Sequence, residues 1–450
     1  MLGIAVPVWA ESLTPVPETP TLPAQDLKTL LRHALDRYPS IAARRQEFAA
    51  AQGALEGARW QRYPSLSVSG AALGSNGAAP STVSVQQVLW AGGRIDAGIA
   101  AASARMFAAN SGTLVEEQSV LERTVGAYVE LQRHQARLLA SQDNVRRHED
   151  LYGLIARRVG QEVSSAADSA LASARLAQAR AERQQISAAI GNARAALQSL
   201  SGDSVRAVVA FDAPPLGFAS VQEAMAAAER FSPDIARQRS LADAATSDLD
   251  VRKGQLMPSL AAKVEHLRNP IIGVNSSTDR ALLAFEFQPG AGLSSLSAVR
   301  EAEARRLAAL SAVEGTRLEL DQKLNSAWID AQSSASQREP LSLLARTNVA
   351  IVDSFLRQYR VGRKSWLDVL NAQREAVQAR YSLADVDAQA LSGALRVRLV
   401  TGALSADTLE TLVLSPLPAL APPSPLSDSA SDPTPPASAP EQPPIPRMTR

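Results

Sequence analysis

The sequence predicts a mixed, mainly α-helical chain built from one pattern written twice, each copy a helix, a β-hairpin and a long helical hairpin. Three observations carry that prediction. X-Pro pairs recur in register: Tyr38-Pro39-Ser40-Ile41 returns as Ser232-Pro233-Asp234-Ile235, and Tyr63-Pro64-Ser65-Leu66 as Met257-Pro258-Ser259-Leu260, each 194 residues later. Alternating apolar and polar residues follow the second pair of each copy. Glycine then becomes scarce, and Ala, Arg, Glu, Gln and Leu dominate for roughly a hundred residues, the composition of long helices.

Further along, the offset drifts. Ala127-Tyr128 meets Ala327-Trp328 and Gln178-Ala179-Arg180 meets Gln378-Ala379-Arg380 at 200, whereas Val159-Gly160 meets Val361-Gly362 at 202. Repeat 1 is read over 26–202 and repeat 2 over 219–404, joined by a connector at 203–218 that contains Pro214-Pro215.

Taken in order, Met1 to Ala10 is apolar and ends Val8-Trp9-Ala10, as a secretory signal ends, although it lacks the basic segment that usually opens one. A linker at 11–25 leads to a helix from Gln25 to Trp60, which Tyr63-Pro64 stops because the residue before proline is driven out of the helical region. A hairpin follows at 65–90: Ser65 to Ser69 alternates, Gly74 to Ser81 supplies turn residues, and Thr82 to Val85 alternates again. Gly92-Gly93 returns the chain to helix, with apolar residues such as Leu121, Val125 and Tyr128 at helical spacing. Gly160, taking the left-handed conformation, is expected to turn the helical hairpin at a tip near 160–168.

The second copy has a helix from Val221 to Leu256 and a hairpin at 259–288, with a polar connection from Asn269 to Asp279. Gly290 and Gly292 make the strand-to-helix turn, and Gly362 turns a tip near 361–367. About 65 to 70 residues separate each glycine cluster from its tip, which at 1.5 Å per residue is on the order of 100 Å. Ser415 to Arg450 is a Pro-, Ser- and Ala-rich tail with too little apolar surface to fold.

Composition excludes several functions. With 46 basic and 45 acidic side chains spread evenly, there is no electrostatic footprint for nucleic acid. The absence of cysteine removes disulfides, thiolate metal sites and a lipidated N-terminal anchor. His33, His134, His148 and His266 show no metal-ligand spacing, and neither a phosphate-binding glycine loop nor a motif-borne nucleophile is present. We expect no enzyme and no cofactor.

Beyond its N-terminus the sequence has no apolar run of about 18 residues, so a membrane could be crossed only by strands. Strands in hydrocarbon must close into a barrel, since each unpaired edge group costs several kcal/mol, and a barrel needs about eight strands or more. One chain with four must borrow strands from copies of itself. A soluble periplasmic coiled-coil adaptor or scaffold is the competing reading, and it leaves two matched hairpins without a role.

The repeat of helix, X-Pro stop, hairpin, glycine cluster and helical hairpin resembles the TolC family over residues 26–404. The segment Tyr359-Arg360-Val361-Gly362-Arg363-Lys364-Ser365-Trp366-Leu367-Asp368-Val369-Leu370-Asn371-Ala372-Gln373 is similar to its best-known signature. The resemblance implies a homotrimer in the outer membrane of a Gram-negative bacterium, most of its mass in the periplasm. Twelve strands would form one β-barrel set in outer-membrane lipid, and twelve helical strands a periplasmic α-helical barrel. It further implies a passive exit duct, working with a periplasmic adaptor and an inner-membrane transporter. That transporter would be either an ATP-driven (ABC) type I secretion transporter or a proton-driven (RND-type) drug pump.

Family members close the periplasmic tip with a tyrosine and a basic residue in a hydrogen-bond and salt-bridge network, and line it with acidic rings. The matching positions are Tyr359, Lys364 and Asp368, with Asn371 where some relatives carry a second acid. Threefold symmetry would make Asp368 a carboxylate ring whose mutual repulsion favours protonation and whose field attracts cations. Asp168 is its counterpart in the first copy, where the Val-Gly alignment puts two extra residues within Gln161 to Ala167. The structural alternative makes Asp368 a helix-N-terminal carboxylate and Tyr359 a packed heptad residue.

Overall fold

A computed structural model describes residues 24–70, 81–271, 274–288 and 294–416. The expected signal segment, Gly290, Gly292, most of the first hairpin's turn and all but two residues of the Pro-rich tail lie outside them.

Each copy opens with two helices where one was expected. α1 (Leu27–Arg37) and α2 (Pro39–Trp60) are divided at Tyr38, which is extended (φ −71°, ψ 123°). In the second copy α5 (Val221–Phe231) and α6 (Pro233–Gly254) are divided at Ser232 in the same way. The rule that ends α2 and α6 also applies one X-Pro pair earlier: the residue before proline leaves the helical region, and proline then starts the next helix at N1. α1 buries Leu27, Leu30, Leu31, Ala34 and Leu35 in the main core, which also holds Tyr128 of the first long helix and Leu391 and Leu395 of the last.

The hairpins form β1 (Ser65–Gly70), β2 (Ser81–Trp90), β3 (Ser259–Ile271) and β4 (Val274–Glu286). They pair antiparallel in the order β1-β2-β3-β4, so the two copies join through β2 and β3 and the outer edges of β1 and β4 stay open. The second hairpin corrects the expected polar connection: Asn269 pairs with Ser276 and His266 with Asp279, so most of 269–279 is ladder. The ladder is made by backbone N–H and C=O groups, so a run that is polar at every position, as from Asn275 to Asp279, can still pair. Leu66, Val68, Val83, Val85 and Phe285 share one face by register, with Leu66 69% and Phe285 71% exposed. The opposite face carries a Ser67–Ser84 hydroxyl bond of 2.7 Å and the Lys263–Glu265 ion pair. The alternation fits a barrel wall with lipid on one side and water on the other.

Glycine returns the first hairpin to helix. Gly92 (φ 60°) and Gly93 (φ 80°) are left-handed, and a Cβ on Gly92 would come within 2.5 Å of the Met257 side chain. A Cβ on Gly254 would in turn come within 2.9 Å of the Gly92 carbonyl, so the two junctions interlock at backbone distance. From there α3 (Arg94–Gly160) and, in the second copy, α7 (Ser294–Arg360) each run for 67 residues, about 100 Å. α4 (Ala166–Ser201) and α8 (Trp366–Val400) return. α7 carries Pro340 in its interior, and just before it Arg338 bridges Asp387 of α8 (2.7 Å) and Asp212 of the connector (2.8 Å).

The connector is pinned as an irregular strand. Gln132 reads both backbone groups of Phe211, donating to its carbonyl at 2.8 Å and accepting from its N–H at 3.1 Å. Gln25 bridges Val208, and Phe211 bridges Pro416, with Asp212 N–H donating to the Ser415 carbonyl. Ser415 and Pro416 were expected in the tail and belong instead to this girdle around the helices. No helix of the described residues is long and apolar enough to cross a membrane.

Candidate functional site

The two tips are built alike, and their construction revises the sequence alignment. At the first, Glu162 N–H bonds the Val159 carbonyl and Val163 N–H the Arg158 carbonyl; at the second, Gly362 bonds Tyr359 and Arg363 bonds Gln358. These are the paired 5→2 and 6→1 bonds of a Schellman turn, whose next-to-last donor must be left-handed. That residue is Gly362 (φ 73°) in the second copy and Glu162 (φ 59°), not Gly160, in the first. Gly160 merely ends α3. The tips therefore align at 200 throughout, and the expected two extra residues do not exist.

Each turn then enters a capping box. Ser165 and Ser365 are N-caps that accept from the N–H of Asp168 and Asp368 at 3.2 Å, while those carboxylates accept from the serine N–H at 3.1 Å. Asp168 and Asp368 hold identical posts. The Ser365 hydroxyl, then its N–H, and more weakly Lys364, hold the Asp368 carboxyl below the usual carboxylate range. Within the chain this opposes the direction that repulsion in a carboxylate ring would give. Lys364 lies 4.0 Å from Asp368 and over the Phe355 ring at 4.4 Å. Asn371 is exposed one turn further along α8.

Tyr359 does not join that pair. It is 7% exposed in an apolar knot where all four long helices meet: Leu151 and Ile155 of α3, Ala172 of α4, Tyr359 of α7, and Trp366, Val369 and Leu370 of α8. The knot is what a heptad-packed tyrosine would give. Its surroundings still tie the tips together, because the Arg158 guanidinium of α3 lies over the Tyr359 ring.

Sequence reasoning missed a second junction above the tips. Asp143, buried on α3, accepts from Arg380 of α8 at 2.5 Å and from Arg147 at 3.2 Å. Arg147 also donates to Asp353 of α7 at 2.9 Å, and Gln373 donates to Asn144 at 2.9 Å. The legible signal was polar residues, Asp143 and Asn144, falling in the same helical rows as Ala140, Leu151 and Ile155. Among the described residues no group of side chains could hold a metal ion.

Comparison with known proteins agrees with this architecture. A family model described as Outer membrane efflux protein matches residues 30–203 and 225–403, one segment on each copy. The chain is 24% identical over 345 residues, 73% of either length, to "Outer membrane efflux protein BepC" of Brucella suis biovar 1. Its fold is similar to that of the outer membrane protein VceC of Vibrio cholerae: TM-score 0.74, 18% identity, 84% of this chain and 96% of that one. It is also similar to the open state of the MtrE outer membrane channel of Neisseria gonorrhoeae, with TM-score 0.69, 18% identity and coverages of 85% and 90%.

Proposed function

We propose, for a chain that belongs to the outer membrane efflux protein family, that the duct is a homotrimer gated where the helical hairpins turn. The protein is an outer-membrane exit duct of an efflux system. The observation that carries the trimeric reading is a four-stranded sheet with two open edges and one apolar, exposed face, set at the base of helices about 100 Å long. Three copies supply twelve strands, enough to close a barrel in which no edge faces lipid. The soluble coiled-coil alternative leaves that apolar face unexplained.

In this reading Tyr359, Lys364, Asp368, Asn371 and Asp168 belong to the periplasmic constriction, and Gly362 is the pivot of the second tip. A periplasmic adaptor engages the tips and an inner-membrane ABC or RND-type transporter supplies the energy. Three copies of Asp368 line the opening and favour cations, each restrained by its cap and by Lys364. Planar-bilayer recording tests this: Asp368→Asn lowers cation preference while leaving the open conductance in place. Unchanged ion selectivity removes Asp368 from the lumen.

A further inference from the structure

Arg158 stands in the last turn of α3 with its guanidinium carbon 5.0 Å from the centre of the Tyr359 ring. That ring is wedged against Trp366, centroids 5.9 Å apart and planes inclined at 47°. Among the described residues Arg158 forms no ion pair, and its Nε is sealed from water without an acceptor. The counterpart of its charge is therefore the electron-rich face of the tyrosine ring. The pair occurs once per chain, because 200 residues away the matching positions are Gln358 and Val159. It thus links the first hairpin to the second.

We infer that Arg158 is the positioning residue that holds the second tip closed, by lying on the ring face of Tyr359 and pressing it onto Trp366. Tyr359 then closes the duct with its ring rather than with its hydroxyl. Drawing the second hairpin away separates guanidinium from ring, but it also hydrates Arg158 Nε and Trp366 Nε1, neither of which has a partner in the closed knot. Those two gains offset part of the lost contact and keep the open state within reach, as a gate requires. The inference rests on reading the tips as the gate, and its test separates the two.

The assembled full-length duct is recorded in planar bilayers as Arg158→Gln, Arg158→Lys, Tyr359→Leu and Tyr359→Phe. Arg158→Gln and Tyr359→Leu raise resting open probability about tenfold, the scale of one desolvated cation–ring contact. Tyr359→Phe keeps the ring face and stays within about twofold of the parent, and Arg158→Lys recovers part of the closure. Open-state conductance and thermal midpoint stay unchanged for Arg158→Gln, which separates positioning from a general loss of packing. Tyr359→Phe opening the duct as far as Tyr359→Leu, with Arg158→Gln silent, overturns the inference and returns closure to the hydroxyl. Trp366→Ala dismantles the knot itself; if it too leaves resting conductance unmoved, the gate lies elsewhere and the reading beneath the inference fails.

Discussion

Arg180 and Arg380 hold the same place in the two copies, 200 residues apart, and meet opposite fates. Arg180 reaches Glu149 across its own hairpin at 2.7 Å, both side chains largely in water. Arg380 turns inward to Asp143 of the other hairpin, whose side chain is 7% exposed. The first is a surface pair of little energetic consequence; the second is a buried charge that must be matched. The difference teaches that the copies diverged where they face each other: Asp143, Asp353 and Gln373 answer to Leu343, Gly153 and Ser173. The tips follow the same logic, with Trp366 and Tyr359 filling the knot where the first copy has Ala166 and Val159.

The asymmetry can be broken at its strongest point first. Asp143→Asn leaves Arg380 and Arg147 without their shared buried partner and costs about 3–5 kcal/mol. Leu343→Asn at the equivalent, 60% exposed position changes stability by less than about 0.5 kcal/mol. Urea unfolding followed by tryptophan fluorescence reads both, and equal effects would dissolve the distinction. Trp366→Ala empties the knot at a cost of about 3 kcal/mol, seen as faster amide exchange over 355–370. Ala166→Leu on the exposed counterpart stays within about 0.5 kcal/mol.

Smaller changes sharpen what the tips share. Glu162→Gly relieves a left-handed residue and stabilises the first tip by about 1 kcal/mol, whereas Gly362→Ala destabilises the second by a similar amount. Opposite signs in amide exchange at the two tips are the expected result. The smallest effect is that of acid. The folded Asp368 carboxyl is held below its ordinary pKa of about 4, so its contribution is complete above that value and is lost as pH falls through the lowered one. The start of α8 frays there, and Asp368→Asn abolishes the pH dependence of its exchange.

Much of the fold was legible because its punctuation is chemical. Proline divides the helices, and alternation marks the strands. Scarcity of glycine marks the long coils. What misled was also glycine: aligning Val159-Gly160 with Val361-Gly362 shifted the first tip by two, because the left-handed position there is held by Glu162, which leaves no compositional trace. The expected connection in the second hairpin failed because strand pairing rests on backbone groups, and a run with a polar residue at every position from Asn275 to Asp279 reads as a loop and still pairs. At the second tip, the place of Asp368 at the head of α8 follows from its neighbours in sequence, as its capping box is local. The Asp143 cluster and the Arg158 contact were not, since both join helices whose residues lie some two hundred positions apart.

The open edges of β1 and β4 bear on biogenesis as much as on shape. In the proposed homotrimer no chain completes its own backbone hydrogen bonding, so barrel formation would be an encounter among chains, its rate rising with more than the first power of their concentration. In that assembly six described residues of β1 and thirteen of β4 are the edges that would meet. Until they do, each protomer of the proposed trimer carries two templates for any other strand, and the trimer's yield would depend on how quickly a protomer finds its copies rather than on how stably it folds by itself.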